Sequence, residues 1–167
     1  ASQAQPPVQV AQSIWKNFTS TEGSFTVLMP GTPKKESYTA KTQVGPVNTQ
    51  AFGVERKQEG VVYIVAYSDF PDQRVQSANP QKLFDGAQDG GLRSSQSKLL
   101  SQRHISLNGY PGRELKLVNP KGQIAKLRMY LVNGRLYQVI VITTQQNERN
   151  LSGSIEGFLN SFKLLPR

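Results

Sequence analysis

Asn133 and Gly134 stand between two runs of β-forming residues, Ile124 to Val132 and Leu136 to Thr143. A two-residue type I′ turn needs positive φ at both central positions, and Asn-Gly meets that requirement at the least steric cost, so this pair specifies a tight antiparallel hairpin. Leu99 to Leu107 and Arg113 to Val118 extend it on the N-terminal side, with Asn119-Pro120-Lys121-Gly122 as a further turn, so that four strands form a meander. Parallel neighbours need crossovers of about a dozen residues or more, and turns occupy those places here, which disfavours a doubly wound nucleotide-binding sheet.

Residues 14 to 70 are also strand-rich. Phe18, then Phe25, Val27 and Met29 about Glu22-Gly23, predict a first hairpin that Pro30, Gly31 and Pro33 end. Thr49 to Arg56 and Val61 to Tyr67 are joined across Gln58-Glu59-Gly60 and should pair. The second of these is an almost continuous apolar run, which predicts a central strand covered on both faces. Asn79-Pro80 supplies an N-cap and an N1 proline for a helix whose stripe, Leu83, Phe84, Ala87 and Leu92, runs to about Leu92. Gly86, Gly90 and Gly91 weaken that helix by up to ~1 kcal/mol each, so its far end should fray. Leu151, Ile155, Phe158, Leu159 and Phe162 share one face of a closing helix. Each helix must bury its stripe on a sheet, which gives an α+β fold: a single twisted antiparallel sheet sandwiched by helices, in one domain over residues 15–167. Residues 1–14, uncharged and without apolar periodicity, read as a flexible arm.

Composition narrows the chemistry. At 167 residues, 37% apolar and 19% charged, the chain can bury an ordinary core. No run approaches the ~18 apolar residues of a membrane-spanning helix. With no cysteine there is no disulfide framework, thiol nucleophile, thiolate zinc site or iron–sulfur cluster. The one histidine, His104, leaves no basis for a histidine-rich metal site, and no Gly-x-Ser-x-Gly elbow offers it a nucleophile. The glycine-rich stretch Gly86 to Gly91 lacks the Gly-Lys-Ser/Thr ending of a phosphate cradle. Asp69 with Asp72, and Asp85 with Asp89, are spaced to hold a hard cation weakly, and solvated acids are the simpler reading of both pairs. The expectation is a non-enzymatic protein with no cofactor and no metal.

The net charge of +9 is unevenly distributed. Residues 1–80 carry seven Lys and Arg against six Asp and Glu, whereas residues 81–167 carry thirteen against five. Such a field favours encounter with acidic protein, anionic membrane surface or nucleic acid. Strand alternation sends Lys126, Arg128 and Tyr130 to one face, Lys116 points the same way as Glu114, and Arg135 flanks the Asn-Gly turn. These five residues, Lys116, Lys126, Arg128, Tyr130 and Arg135, are the candidate partner surface; a solvated sheet face is the plainer reading of the same stripe. Too few aromatics are interleaved for a nucleic-acid platform.

Four segments carry a resemblance. Residues 18–33 (FTSTEGSFTVLMPGTP) are similar to the opening hairpin of the PsbP-like superfamily of extrinsic photosystem II proteins. GYPGRE at 109–114, leading into the hairpin RMYLVNGRLYQVIV at 128–141, and the closing FLNSF at 158–162, resemble its second half. The wording is most similar to exported cyanobacterial proteins of this type. The resemblance implies an α/β/α sandwich about an antiparallel sheet, and a non-catalytic accessory protein docked on a membrane protein complex, with photosystem II as the family's example. It implies the thylakoid lumen or periplasm, with a signal peptide removed before Ala1. No metal or contact residue carries over. The alternative is a small-ligand or lipid-binding module with its pocket between the sheet and the glycine-weakened helix.

Overall fold

The chain is described here from a computed structural model, over residues 14–42, 45–70 and 79–166. The arm expected over residues 1–14 lies outside them except for Ile14. Among the described residues ten strands and three helices follow one another: β1 (Lys16–Ser20), β2 (Phe25–Met29), β3 (Lys34–Thr42), β4 (Gly45–Arg56), β5 (Val61–Asp69), α1 (Pro80–Ser95), β6 (Lys98–Leu107), β7 (Tyr110–Val118), β8 (Gln123–Val132), β9 (Arg135–Thr144), α2 (Gln145–Asn150), α3 (Ser152–Ser161) and β10 (Lys163–Leu164). Seven strands form one antiparallel sheet in the order β3-β4-β5-β9-β8-β7-β6, and β1-β2-β10 form a small second sheet. The expectation of a single sheet is therefore corrected. The reason is burial: Phe25, Val27 and Met29 of β2 are fully covered against the main sheet's aromatic residues, a position open to a strand lying across the sheet and closed to one hydrogen-bonded at its edge.

Asn133 (φ 50°) and Gly134 (φ 83°) make the predicted turn between β8 and β9. A second such turn, Asn108 (φ 52°) and Gly109 (φ 83°), joins β6 to β7 and moves the start of β7 from the expected Arg113 back to Tyr110. Pro111 and Gly112, residue types that usually interrupt a strand, both sit within this one. Gly112 is there for space. A Cβ at this position would lie 2.6 Å from the Met129 carbonyl oxygen and 2.6 Å from the Tyr130 ring.

Alternate residues of the same strands supply two apolar clusters, so the clusters occupy opposite faces. Tyr137, Val139 and Val141 of β9 join Tyr63, Val65 and Tyr67 of β5 in the first, which β2 and the α3 residues Ile155, Phe158 and Leu159 cover. Leu136 of β9, Leu127 and Met129 of β8 and Leu115 of β7 belong to the second, against Phe84 of α1. The predicted double coverage of β5 holds for its second half. Ala66 and Ser68 are buried opposite the tyrosines, while Val62 and Ile64 are only half-buried.

Asn79 caps α1, its side chain accepting from the Gln81 N–H at 2.9 Å, with Pro80 at the first helical position. The helix does not stop at Leu92. It runs to Ser95 and closes on Gln96 in the left-handed conformation (φ 53°), with the Ser97 N–H donating to the Leu92 carbonyl. A Cβ at Gly90 or Gly91 would meet nothing within 4 Å. Gly90→Ala and Gly91→Ala are therefore expected to stabilise the protein by about 0.5–1 kcal/mol each through lost unfolded-state entropy. An unchanged or lowered urea midpoint would show that these glycines are needed for something else.

Candidate docking surface

The register of the second meander decides where the basic residues meet. Arg103 of β6 lies opposite Glu114 of β7, and Glu114 lies opposite Arg128 of β8. Glu114 accepts from the Arg103 Nε at 2.8 Å and from the Arg128 Nε at 2.7 Å. Arg128 also donates to the Asn160 Oδ1 of α3 at 2.8 Å and approaches Glu156 at 3.7 Å. Lys126 reaches the same Glu156 at 2.7 Å, and Lys116 reaches Glu148 of α2 at 2.7 Å. Lys116 and Lys126 are direct cross-strand neighbours, a repulsive placement that these two helix carboxylates relieve. The result is a charge network in which Arg103, Glu114, Arg128, Glu156 and Lys126 form one chain of ion pairs across β6, β7, β8 and α3, with the Lys116–Glu148 pair beside it.

Burial would raise the Glu114 carboxyl, but hydrogen bonds from Arg103 and Arg128 outweigh it and hold the pKa to about 2. Only Arg103 is well exposed, at 62% of its side chain; Lys116 and Lys126 are half-buried and Arg128 is at 11%. The stripe is thus a paired, half-covered surface under the C-terminal helices, where a bare solvent-facing one was the plainer expectation. Tyr130 lies on the same face as Lys126 and Arg128, as alternation predicted, but is 5% exposed and stacks on Phe162 with ring centroids 5.9 Å apart. Its phenol is shifted upward, chiefly by burial.

Arg135 stands apart from this group. Its guanidinium binds Asp69 through two bonds of 2.6 and 3.0 Å, lies 4.5 Å from the Tyr67 ring centroid and donates to the Gly23 carbonyl at 2.9 Å. Tyr137 donates to the same carbonyl. Arg135 therefore fastens the β1–β2 turn to the main sheet.

The acidic pairs resolve in the same way. Asp69 is engaged by Arg135, and Asp72 lies outside the described residues. Asp85 accepts from Arg113 at 2.7 Å. Arg113 is the one buried cation in the core set, at 6%, and it also donates to Gln88 and Gln81 side chains at 2.9 and 2.8 Å beneath α1. Among the described residues no three His, Asp or Glu side chains converge on a metal-sized site. His104 is exposed on β6 opposite Arg113, and Gly86 to Gly91 lie inside α1. Between the sheet and α1, where a pocket was expected, lie Phe84 and the Arg113 cluster. An open groove of about 660 Å³ lies elsewhere, across β3, β4 and β5, lined by Lys34, Glu36, Ala51, Gly53, Val62 and Ile64.

Sequence reasoning missed Arg103, Arg113 and Glu114 as partners. Asn108-Gly109 held the signal, since counting outward from that turn sets Arg103 against Glu114.

The fold is PsbP-like, as the sequence resemblance implied, by its match to a solved structure of that type. The solution structure of cyanobacterial PsbP (CyanoP) from Synechocystis sp. PCC 6803 matches it with a TM-score of 0.62 at 11% identity, covering 90% of this chain and 92% of that one. PA94 from Pseudomonas aeruginosa, described as a protein of unknown function and putative regulator, matches with a TM-score of 0.50 at 12% identity, over 92% and 97% of the two chains. LpqN of Mycobacterium tuberculosis, described as involved in cell envelope biogenesis, matches with a TM-score of 0.49 at 11% identity, over 92% and 79%. At these identities the likeness is one of fold. No family model and no curated protein matches the sequence. No helix among the described residues is long and apolar enough to cross a membrane.

Proposed function

We propose that this protein is a non-catalytic accessory protein that docks on a membrane protein complex from the lumenal or periplasmic side, in the manner of photosystem II extrinsic or assembly proteins. The observation that carries this reading is the charge network on β6, β7 and β8. Its outer members, Arg103, Lys116 and Lys126, hold carboxylates at a half-exposed surface where a partner's carboxylates can take over those bonds. Arg128 and Tyr130 fix the position of the network from below, and Arg135 secures the adjoining hairpin. The PsbP-like fold supports the reading, because the cyanobacterial PsbP shares it over nine-tenths of this chain. So does the excess of positive charge in residues 81–167, which speeds encounter with an acidic surface.

The test is retention on detergent-solubilised thylakoid or envelope membranes. Lys116→Gln/Lys126→Gln, which removes both charges without setting new carboxylates against Glu148 and Glu156, is expected to bind about tenfold more weakly than the wild type and with a shallower salt dependence. Equal retention of both at every salt concentration would overturn the assignment of this surface. Arg128→Glu is a poor probe, since it sets a third carboxylate against Glu114 and Glu156.

A further inference from the structure

We propose that the free edge of β6 receives an extended, acidic segment of the partner as an eighth strand of the main sheet; this rests on the docking reading above and specifies how the partner is held. Among the described residues β6 ends the sheet and pairs only with β7. Seven of its ten residues are exposed, and Leu100 is one of two large apolar side chains among the described residues to stand half in solvent. An unpaired strand edge is a template for another chain unless something blocks it. Here the block is local. A register shift between Leu99 and Ser101 disturbs the first end, while Ser101 to Leu107 pairs with β7 residue for residue. That leaves seven regular positions, roughly 23 Å, the length of an ordinary strand.

Charge selects the occupant. β6 carries Lys98, Arg103 and His104 and no acid, and Lys116 lies beside it on β7. The opposite edge, β3, is also net positive, but Glu36 stands among Lys34, Lys35 and Lys41, so an acidic strand added there would meet a carboxylate. A second copy of β6 would add two more cations to this edge and bring no carboxylate of its own. An acidic strand meets no such repulsion. Arg103 uses its Nε on Glu114, and its terminal guanidinium nitrogens have no acceptor among the described residues. Acidic side chains on one face of an added strand would reach them, while those on the other face would meet His104.

The test uses a synthetic nonapeptide alternating Glu with Val and Thr, titrated into the full chain. Saturating peptide should slow hydrogen exchange at alternate amides between Ser101 and Leu107. The same peptide N-methylated at alternate residues, and a version with Lys for Glu, should each bind at least about tenfold more weakly. Lys98→Glu/His104→Glu, at two exposed positions of β6 outside the docking network, should weaken the Glu peptide to a similar degree with an unchanged melting temperature. Unaltered exchange on β6, or equal binding of the N-methylated peptide, would overturn the proposal. Membrane retention separates the two readings. Wild type retained with the β6 variant retained equally sinks strand addition and leaves docking standing. Wild type not retained sinks docking, and exchange on β6 still decides whether the edge accepts a strand.

Discussion

Glu114→Ala is expected to destabilise the protein by about 3–5 kcal/mol at neutral pH, the cost of leaving buried charge without its partner. The carboxylate is 12% exposed and separates two arginines, one of them, Arg128, 11% exposed itself. Without it Arg103 and Arg128 face each other across β7. Glu114→Gln keeps the acceptor and the shape and should cost less than half as much. The effect has a definite pH course. Glu114 titrates at about 2 when folded against an ordinary 4.5. A depressed carboxyl contributes stability that is complete above the unfolded value and lost as pH falls through the folded one. The wild-type advantage over Glu114→Gln should therefore shrink between about pH 5 and pH 2, by roughly 2 kcal/mol once solvent screening is allowed for. Urea unfolding at pH 7, 4 and 2.5 measures it, and a difference independent of pH would mean that the side chain matters through packing.

Phe84→Ala is expected to cost about 3–5 kcal/mol, within the range for an aromatic side chain removed from a core. Phe84 is the sole fully buried residue of α1, and its ring lies 5.6 Å from the Arg113 guanidinium carbon. The helix carries Gly86, Gly90 and Gly91 and so depends on tertiary anchoring more than on its own propensity. Loss of the ring should lower the urea midpoint and also reduce helical circular dichroism before the global transition. A loss below about 1 kcal/mol would show that the Arg113 bonds to Asp85, Gln88 and Gln81 hold α1 without it.

What could be read in the chain follows the strength of local chemistry. Asn133-Gly134, Asn79-Pro80 and the stripe from Leu151 to Phe162 each tie a backbone conformation or a buried face to particular residue types, and each element lies where those residues place it. β3 was not singled out because KKESYTAKT has no apolar face to alternate, being an edge strand whose hydroxyls and lysines meet solvent. The start of β7 was hidden by Pro111 and Gly112, whose usual meaning as breakers is overridden by the packing of Tyr130. The small sheet was hidden because β1 and β2 look like any hairpin until the surface they bury is known. In the candidate site, alternation placed Lys126, Arg128 and Tyr130 on one face. It was silent on Glu148 and Glu156, which arrive from helices about 30 residues away along the chain and neutralise that face.

The pairing of β5 with β9 has a consequence for how the chain is made. Val62 pairs with Ile142 and Asp69 with Arg135, so the central seam joins segments whose nearest paired residues are 66 positions apart. During synthesis at ~5–20 residues per second, β5 waits roughly 3 to 13 s for the strand that covers its open side. It is also the run VVYIVAY, with high β propensity and no charge, the kind of segment most prone to join a foreign strand. The half of the protein translated first thus holds its most adhesive strand exposed until the second meander emerges. Both Asn-Gly hairpins of that meander, being local, can then form quickly and present β9 ready-made.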